Sequence, residues 1–430
     1  MSKTNKIELI TLGCSKNTVD SERLMSQLKA NNFEFVDSSD DADSIIINTC
    51  GFIDAAKEES VNTILEAIEL KKQGKIKKVV VAGCLSERYM DDLKKEIPDV
   101  DSFFGTEKYE EIVKDFGGKF SYDLLGERIV TTPKHYAYLK ISEGCDNPCS
   151  FCAIPLMRGG HVSKPMDMLS DEAKRLADKG VKELIIIGQD TTDYGKDIGG
   201  KRNLSELLER LSNLNGIEWI RLLYAYPSHF PDDVIDTLAN NPKVLKYVDM
   251  PLQHISDSVL KSMRRGISSR RTKELLYKLK EQVPGITLRT TFISGYPAET
   301  EKDFIELCDF VKEIEFDRFG VFNYSVEENT PSYILSDPIS ADEKEARRAE
   351  LMKIQSEISL KKNESFIGKT MRCVIDDIEN EHYIARSERD APEVDGEVLI
   401  KAENKLLKLG HFYPIEIISC NEYDLFGKIK

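Results

Sequence analysis

The stretch Ile141-Ser-Glu-Gly-Cys145-Asp-Asn-Pro-Cys149-Ser-Phe-Cys152-Ala-Ile-Pro155 places three cysteines in the pattern C-x-x-x-C-x-x-C. Three thiolates so close in sequence can face one point only if the chain wraps around it, and Gly144 and Pro148 allow such a loop. Thiolates at this spacing repel one another unless a metal neutralises them. The stretch therefore predicts a metal site held by its three cysteines, the central set.

Two kinds of metal site are compatible with the central set. Structural zinc normally has four protein ligands, and the fourth would have to be His135 or His161, which are awkwardly placed in the sequence. An iron–sulfur cluster usually takes four cysteines, so three would leave one iron open for a substrate or cofactor. The cluster is the favoured interpretation, with zinc as the alternative.

The segment around the central set alternates strand and helix signals. Between residues 131 and 340 this rhythm occurs six times, and the first strand directly precedes the cysteine loop. The strands are predicted at Tyr136–Ile141, Glu183–Ile187, Trp219–Tyr224, Tyr247–Met250, Leu288–Ile293 and Phe319–Tyr324. Six βα units favour an open barrel, short of the eight that close a TIM barrel. A doubly wound flat sheet is the alternative, which periodicity does not exclude.

A second cysteine set lies in the N-terminal part of the chain. Strands are predicted at Lys6–Leu12, Ser44–Asn48 and Lys78–Ala82, and helical patterns between them imply a parallel α/β sheet. Each strand is followed at once by a cysteine with a neighbouring glycine, giving the N-terminal set of Cys14, Cys50 and Cys84. Because the carboxyl ends of parallel strands share one edge, the three thiols can converge there. Three cysteines buried separately in a core are the alternative.

The last part of the chain changes character. A charged helix is predicted over Ala341–Lys362, and residues 364–430 carry short alternating runs separated by turn signals. These runs predict a small antiparallel β-barrel. The chain is therefore expected to be an α/β protein of three domains, with residues 1–125, 131–362 and 364–430 in turn.

Composition restricts the compartment and the partners. The net charge of −15 makes the chain a poor non-specific binder of nucleic acid and a better match for a basic partner. No apolar run is long enough for a membrane span, and the N-terminus shows no export signal. The cytoplasm is expected. The three remaining cysteines, Cys308, Cys373 and Cys420, are expected to be ordinary core residues.

The central motif, placed after the first strand of a predicted partial barrel, resembles the radical S-adenosylmethionine superfamily. The three-domain combination resembles its methylthiotransferase family, whose C-terminal barrel is of the TRAM type. Four strings look like the RimO branch of that family. They are Leu12-Gly-Cys-Ser-Lys-Asn-Thr-Val-Asp-Ser-Glu22, Asn48-Thr-Cys-Gly-Phe-Ile-Asp54, Ala82-Gly-Cys-Leu-Ser-Glu-Arg88 and Ala153-Ile-Pro-Leu-Met-Arg-Gly159.

The resemblance implies a reaction and its cofactors. Both cysteine sets would hold [4Fe–4S] clusters, the central one binding S-adenosylmethionine to generate a radical and the N-terminal one supplying sulfur. The product would be a methylthio group on the β-carbon of an aspartate in small-subunit ribosomal protein S-twelve. An electron donor such as flavodoxin or ferredoxin and a sulfur donor would be needed, and no membrane. The rivals are the same chemistry on a tRNA adenosine and a non-catalytic iron–sulfur RNA-binding protein.

Further candidate residues follow other strands of the predicted barrel. The resemblance places Gln189, Asp190 and Gly295 where family members contact S-adenosylmethionine. The alternatives are a helix-capping pair for Asp190 and an ordinary turn for Gly295. A lone histidine is more often structural, so His254 is not assigned a catalytic role. Arg221 is equally compatible with pointing into or out of the barrel.

Charge in the last domain bears on the choice of substrate. Residues 364–430 contain 14 acidic and nine basic residues, a balance of −5. The resemblance implies a strongly basic protein substrate, and an acidic surface would attract it. Four acidic residues are candidates for that surface: Asp376, Asp377, Glu379 and Glu381. An ordinary solvated surface is the alternative.

Overall fold

The computed structural model describes residues 5–402 and 406–430. Residues 1–4, and residues 403–405 inside the predicted small barrel, lie outside the described residues. The chain forms two compact units. The first comprises Met1–Thr132, Tyr138–Asp146 and Cys152–Arg175, and the second comprises Pro133–Ala137, Asn147–Phe151 and Leu176–Lys430. The three-domain division made from the sequence stays a prediction.

The first unit is built on a parallel five-stranded sheet flanked by helices. Its strands are β1 (Lys6–Thr11), β2 (Glu34–Phe35), β3 (Ser44–Thr49), β4 (Lys78–Gly83) and β5 (Ser102–Phe103). Its first helices are α1 (Ser15–Ala30), α2 (Asp54–Lys72), α3 (Cys84–Glu96) and α4 (Tyr109–Asp115), with 3-10 turns at Ser39–Asp41 and Tyr122–Leu124. Isoleucine and valine fill β3 and β4, which are buried along their length except at Lys78, as expected for the centre of a parallel sheet.

The strand order of this sheet, β2-β1-β3-β4-β5, is that of a doubly wound fold. The order reverses between β1 and β3, which pair directly with each other. In such folds ligands bind beyond the carboxyl ends of the strands at this reversal. The topology therefore places the N-terminal cysteines where a ligand is expected.

The cysteine loop lies between further short elements. These are β6 (Tyr136–Lys140), β7 (Ser142–Glu143), α5 (Ile154–Arg158), β8 (Val162–Ser163) and α6 (Met166–Asp178). Strands β7 and β8 pair antiparallel, so they join the two ends of the segment that carries the central cysteines.

The second unit contains the remaining βα repeats. Its strands are β9 (Glu183–Ile187), β10 (Trp219–Leu222), β11 (Val244–Asp249), β12 (Thr287–Ser294) and β13 (Arg318–Asn323). Its helices are α7 (Lys196–Gly199), α8 (Leu204–Ser212), α9 (Asp232–Asn240), α10 (Asp257–Ser262), α11 (Ser269–Gln282), α12 (Glu301–Ile314) and α13 (Ala341–Glu364), with a 3-10 turn at Pro331–Ile334. The carbonyl of His135, just before β6, accepts hydrogen bonds from the backbone N–H groups of Lys182 and Glu183, which brings β6 beside β9.

The resulting six-stranded sheet has the order β6-β9-β10-β11-β12-β13, which is also their order along the chain. A doubly wound sheet would reverse direction at a switch point, whereas a barrel wall adds each strand beside the previous one. The sequential order agrees with the predicted open barrel and not with the flat alternative.

A small closed barrel ends the chain. Its strands are β14 (Thr370–Glu379), β15 (His382–Ser387), β16 (Val398–Lys401), β17 (Phe412–Cys420) and β18 (Leu425–Ile429), in the order β14-β15-β16-β18-β17. Four strand pairs are antiparallel, as the sequence predicts, but β16 and β18 pair parallel. The chain crosses the barrel between them, and pattern alone does not reveal such a crossing.

Buried ion pairs fix the small barrel to the amino ends of the six-stranded sheet. Glu183 at the start of β9 binds Arg221 over 2.8 Å and Arg386 of β15 over 2.9 Å, and all three are buried. Arg221 therefore helps to hold the small barrel against the six-stranded sheet, within the second unit. Arg318, which begins β13, binds the buried Asp390. The cysteine loop instead follows the carboxyl end of β6, which is the end of the strand opposite to the one that faces the small barrel.

One of the four acidic surface candidates takes part in this contact between the small barrel and the sheet. Asp376 is mostly buried and binds Arg386 over 2.5 Å and Nε2 of His135 over 2.6 Å. The prediction that Asp376 forms part of a substrate-facing surface is therefore wrong, because its carboxylate is used internally. Asp377, Glu379 and Glu381 are exposed. In the described residues no helix is long and apolar enough to cross a membrane.

Candidate metal centres

The three N-terminal cysteines follow three adjacent strands at one edge of the first sheet. Cys14 comes after β1 as the N-cap of α1, Cys50 comes after β3, and Cys84 begins α3 after β4. Cys14 is exposed while Cys50 and Cys84 are buried. Because the sheet reverses its order between β1 and β3, Cys14 and Cys50 stand on either side of the ligand-binding position of this topology.

Two glycines allow the loops that carry these cysteines to approach closely. Gly13 has φ +89°, and a Cβ on it would lie 2.6 Å from Cβ and 2.8 Å from Sγ of Cys50. Gly83 has φ +96°, and a Cβ there would lie 2.4 Å from Oδ1 of Asn48. Any side chain would strain the backbone and push the loops apart, so both glycines support convergence of the thiols.

Burial keeps the thiols of Cys50 and Cys84 protonated in the metal-free protein. Burial raises the pKa of Cys84 to about 12, with Cys14 and Cys50 adding to the shift and the Arg158 guanidinium opposing it. Burial also raises the pKa of Cys50. Since a metal binds the thiolate, loading this set would release protons.

The geometry fits a cluster better than a single ion. In the described parts of the chain, the three sulfurs of the N-terminal set do not all lie within 4.8 Å of one another. In a four-iron cluster each thiolate binds its own iron, so the ligands are spread more widely. The hydroxyls of Ser15 and Ser86, both beside N-terminal cysteines, are buried and have no hydrogen-bond partner among the described residues. Buried donors next to converging thiols match a group with sulfide acceptors.

The proposed fourth ligands of a zinc site are engaged elsewhere. Nε2 of His135 lies 2.6 Å from Oδ1 of Asp376, within the second unit. Nε2 of His161 lies 3.0 Å from Oγ of Ser163, within the first. One ring nitrogen of each imidazole therefore has a protein partner, as is also usual for a metal-binding histidine.

The amino-terminal half of the central loop is closed by backbone contacts. The N–H of Cys145 donates to the carbonyl of Gly159 over 3.1 Å, and the N–H of His161 donates to Oδ1 of Asp146 over 3.0 Å. Gly144 has φ +71°, and a Cβ there would lie 2.0 Å from the carbonyl oxygen of Gly160. The loop therefore folds back on itself as the cysteine spacing predicts.

Cys149 is held in the second unit by an arginine and a tyrosine. Arg265 donates from a terminal nitrogen to Sγ of Cys149 over 3.2 Å, and its guanidinium lies over the ring of Tyr226. The hydroxyl of Tyr226 lies 3.5 Å from the same sulfur. A buried cation donating to sulfur stabilises a thiolate more than a thiol. This donor set suits a metal-bound cysteine, and no pattern in the sequence indicates either Arg265 or Tyr226 as its partner.

Ser150 anchors the next residue of the loop. Its hydroxyl donates to the carbonyl of Ser262 over 2.8 Å and lies 3.0 Å from the hydroxyl of Tyr296, while its N–H donates to the carbonyl of Met263. The last residue of α10 and Met263, which follows it, thus fix the loop immediately beside Cys149.

The three predicted S-adenosylmethionine contacts have different surroundings. Asp190 is buried and accepts hydrogen bonds from Asn147, inside the cysteine loop, and from Thr192. Burial raises its pKa. Gln189 is half-buried beside it. Gly295 packs against Lys344, whose Cγ would lie 2.2 Å from a Cβ at this position. The contact with Lys344 is enough to explain why this position needs glycine. The role of all three residues in binding S-adenosylmethionine stays a prediction.

His254 lies in a fully buried polar group behind Gly295. Its Nε2 lies 3.3 Å from Oε2 of Glu299, and Arg347 donates to the other carboxylate oxygen over 2.5 Å. The N–H of Gly295 also donates to Glu299. Thr300 caps α12 with a capping box through Asp303, as a helix start after the turn requires.

Arg158 is a further functional residue that the sequence did not indicate. It ends α5, just after the central cysteines, and its Nε donates to Sγ of Cys84 over 3.3 Å. Its terminal nitrogens bind Oδ1 of Asn17 over 2.5 Å and Oδ2 of Asp20 over 2.7 Å. The matching signal was present in the string that ends Met-Arg-Gly159, but a single arginine in a sequence does not show which cysteine it contacts.

Three family models match successive parts of the chain. The uncharacterized protein family UPF0004 matches residues 6–105, the radical SAM superfamily matches residues 139–311, and the TRAM domain matches residues 367–429. Their order agrees with the parallel sheet, the open barrel and the closed barrel described above.

Solved structures support the fold. A radical S-adenosylmethionine methyltransferase, TsrM from Kitasatospora setae, aligns with TM-score 0.56 at 14% identity over 77% of each chain. The cobalamin-dependent S-adenosylmethionine radical enzyme OxsB aligns with TM-score 0.53 at 12% identity, covering 82% of this chain and 56% of its own. These likenesses show the fold, and the family models identify the class as radical S-adenosylmethionine proteins with a TRAM domain.

Curated relatives narrow the class to one family. The ribosomal protein uS12 methylthiotransferase RimO of Flavobacterium johnsoniae is 55% identical over 99% of this chain and 98% of its own length. The protein of the same name from Cytophaga hutchinsonii is 53% identical over 100% of this chain and 98% of its own. The chain belongs to this RimO family of methylthiotransferases.

Proposed function

We propose that this chain methylthiolates ribosomal protein uS12, replacing a C–H bond on the β-carbon of an aspartate with C–S–CH3. The observation that carries the proposal is the presence of two three-cysteine sets in one chain of this family, each at the carboxyl ends of parallel strands. Each set leaves one iron of a [4Fe–4S] cluster without a protein ligand, because such a cluster usually takes four cysteines.

Cys145, Cys149 and Cys152 would hold the first cluster. With S-adenosylmethionine bound, this group supplies a 5′-deoxyadenosyl radical that removes the hydrogen atom from the target carbon. The protein's own part is to hold the loop, through β7 and β8 on one side and through Ser150 on the other. Arg265 would stabilise the thiolate of Cys149, and Gln189, Asp190 and Gly295 remain the proposed contacts of S-adenosylmethionine.

Cys14, Cys50 and Cys84 would hold the second cluster, which would supply the sulfur that the target carbon receives. The methyl group on that sulfur comes from a second S-adenosylmethionine. Cys50 and Cys84 are buried away from water, while Cys14 is exposed and leaves one side of the site accessible to a substrate. This asymmetry suits a site that must receive sulfur and then deliver it.

The partners follow from the same chemistry. uS12 would be the protein substrate, an electron donor such as flavodoxin or ferredoxin would reduce the clusters, and a separate donor would replace the sulfur consumed in each turnover. All of these partners belong to the cytoplasm, which is the compartment we propose. The overall charge of −15 favours a basic protein over nucleic acid as the partner.

The direct test uses the anaerobically reconstituted full-length protein with S-adenosylmethionine, a reductant and either purified uS12 or bulk tRNA. Mass spectrometry should find a methylthio group on one aspartate of uS12, together with 5′-deoxyadenosine. Methylthiolated adenosine with unmodified uS12 would assign the chain to the tRNA reaction. Failure to form 5′-deoxyadenosine with either substrate, despite full iron content, would contradict an enzymatic role.

A further inference from the structure

A buried charge network surrounds Arg158 in the first unit. Its side chain is 2% exposed, and besides Asn17 and Cys84 it binds Asp20 over 2.7 Å and Glu143 over 3.1 Å. Glu143 stands two residues before the first central cysteine. The arginine therefore joins the segment that brackets the central motif to a sulfur of the N-terminal set.

The network's second cation is Lys140, at the end of β6. Its fully buried ammonium contacts Asp20, binds Glu143 over 2.5 Å and lies 3.3 Å from Glu107. Burial alone would raise the pKa of Asp20, but Lys140 and Arg158 outweigh burial and hold it well below its usual range. Three carboxylates thus face two cations, so the network has no positive charge to spare.

Arg158 is the member of this network that contacts a candidate cluster ligand. Asp20 and Glu143 hold one terminal nitrogen of its guanidinium, and Asn17, in the first turn of α1, holds the other. Asn17 is itself held, since its Nδ2 donates to the carbonyls of Leu12 and Thr49, at the ends of β1 and β3. The direction of the Nε–H toward Cys84 is therefore determined by several partners at once.

We propose that Arg158 is a positioning residue for the N-terminal cluster: it donates a hydrogen bond to the Cys84 thiolate and raises the reduction potential of that cluster. The inference rests on the proposed function, which places a cluster on Cys14, Cys50 and Cys84. Hydrogen bonds to ligand sulfurs and nearby positive charge favour the reduced cluster, because reduction adds an electron. Asp20 and Glu143 offset much of the guanidinium's charge, so the hydrogen bond to the sulfur is the main contribution, and in a water-poor site it acts with little screening.

The same contacts could serve packing alone, and a potential measurement separates the two roles. Removing a buried arginine from a salt-bridge network destabilises a protein wherever it lies. Only an arginine that acts on the cluster changes the cluster's potential. Arg128 provides a matched control in the same unit, because it is 1% exposed and binds Glu22 over 2.7 Å.

The experiment uses the full-length Cys145/Cys149/Cys152 triple alanine variant, so that the remaining iron reports on the N-terminal set. Arg158→Met, Arg158→Lys and Arg128→Met are added separately, and each reconstituted protein is titrated anaerobically by electron paramagnetic resonance. We expect Arg158→Met to lower the midpoint potential, with at least a tenfold change in the one-electron equilibrium, which corresponds to about 59 mV. Arg158→Lys keeps the charge and should show a smaller shift in the same direction. Arg128→Met should leave the potential unchanged.

The outcomes are distinct. An unchanged potential in Arg158→Met, or an equal shift in Arg128→Met, would overturn the proposal. If Arg158→Met retains no cluster, Arg158→Lys decides, and an unchanged potential there would also overturn it. A triple alanine parent that binds no iron would instead contradict the proposed function, before Arg158 is tested at all.

Discussion

Asn147, which lies between the first two cysteines of the central motif, donates a hydrogen bond from Nδ2 to Oδ2 of Asp190 over 2.6 Å. Asp190 follows β9 and also accepts hydrogen bonds from the N–H and hydroxyl of Thr192. One carboxylate thus connects the cysteine loop to the next strand end of the sheet. This contact gives Asp190 a structural role that is separable from its proposed contact with S-adenosylmethionine.

Replacing Asp190 should therefore loosen the central loop. In the Cys14/Cys50/Cys84 triple alanine background, Asp190→Ala should retain clearly fewer than about four iron atoms per chain, because a charge-assisted hydrogen bond of about 1.5–3 kcal/mol is lost. Asp190→Asn should retain more, since its amide oxygen still accepts from Asn147. Iron and sulfide analysis gives the result.

A neighbouring carboxylate serves as the control for that change. Asp193→Ala, which removes an ion pair with Arg202 near the surface, should leave iron content unchanged. Full iron retention in Asp190→Ala would show that the loop does not need this bond. Full iron in Asp190→Asn combined with lost S-adenosylmethionine affinity would indicate direct contact with the cofactor instead.

The two-cluster proposal makes a simple prediction about metal content. The anaerobically reconstituted protein should bind about eight iron atoms per chain, in two four-iron clusters. Alanine at Cys145, Cys149 and Cys152 should leave about four. A triple variant that binds no iron, or one that keeps the full complement, would contradict two independent sites.

The two cysteine sets should also separate in activity. The Cys14/Cys50/Cys84 triple alanine variant should still cleave S-adenosylmethionine to 5′-deoxyadenosine, since radical generation needs only the central set. It should form no methylthiolated product. Liquid chromatography of the nucleoside and mass spectrometry of uS12 measure the two activities in one reaction, and methylthiolated uS12 from this variant would remove the sulfur role from the N-terminal set.

Much of this arrangement could be predicted because it follows from local pattern. Strand Glu183–Ile187 was predicted to the residue, and the convergence of the N-terminal cysteines follows from the shared edge of a parallel sheet. The helical pattern between the first two predicted strands becomes apparent only from Ser21, whereas α1 begins at Ser15. Its first turns bury polar residues such as Lys16 and Asn17, which conceal the helical pattern of apolar residues.

Side-chain partners distant in sequence could not be predicted. Arg158 meets Cys84 across 74 positions, and Arg265 meets Cys149 across 116. Neither pair leaves a local signal, because each depends on how separate elements pack. The same limit explains Asp376, which sequence reasoning placed on an acidic surface although Arg386 neutralises it internally.

The exposed acidic residues of the small barrel still allow a test of substrate choice. Reversing Asp377, Glu379 and Glu381 to lysine should weaken binding of uS12, and the difference from the unmodified protein should shrink as salt rises. Affinity is measured with purified uS12 at several ionic strengths. The matched control reverses three exposed acidic residues of α3 in the first unit, namely Asp91, Asp92 and Glu96. An equal loss in both variants would point to net charge alone, and no loss in either would remove the acidic surface from recognition.

Asp376 yields a prediction about acid stability. Burial raises the pKa of this carboxyl, but Arg386 and His135 outweigh burial and lower it below its ordinary value. A carboxyl with a depressed pKa in the folded protein contributes stability above its unfolded pKa and loses that contribution as the pH falls through the folded value. Asp376→Asn should therefore destabilise the iron-free protein at neutral pH, by about 3 kcal/mol for a broken buried pair.

The penalty of Asp376→Asn should diminish as the pH falls below about 4, because the wild-type carboxyl then becomes protonated as well. Thermal unfolding of the iron-free full-length protein, followed by circular dichroism across this range, measures the difference in apparent Tm between the two proteins. Asp377→Asn, on the adjacent exposed residue, should show little difference from wild type at any pH. A penalty for Asp376→Asn that stays constant down to low pH would show that packing, and not the charge held by Arg386, determines the contribution of this residue.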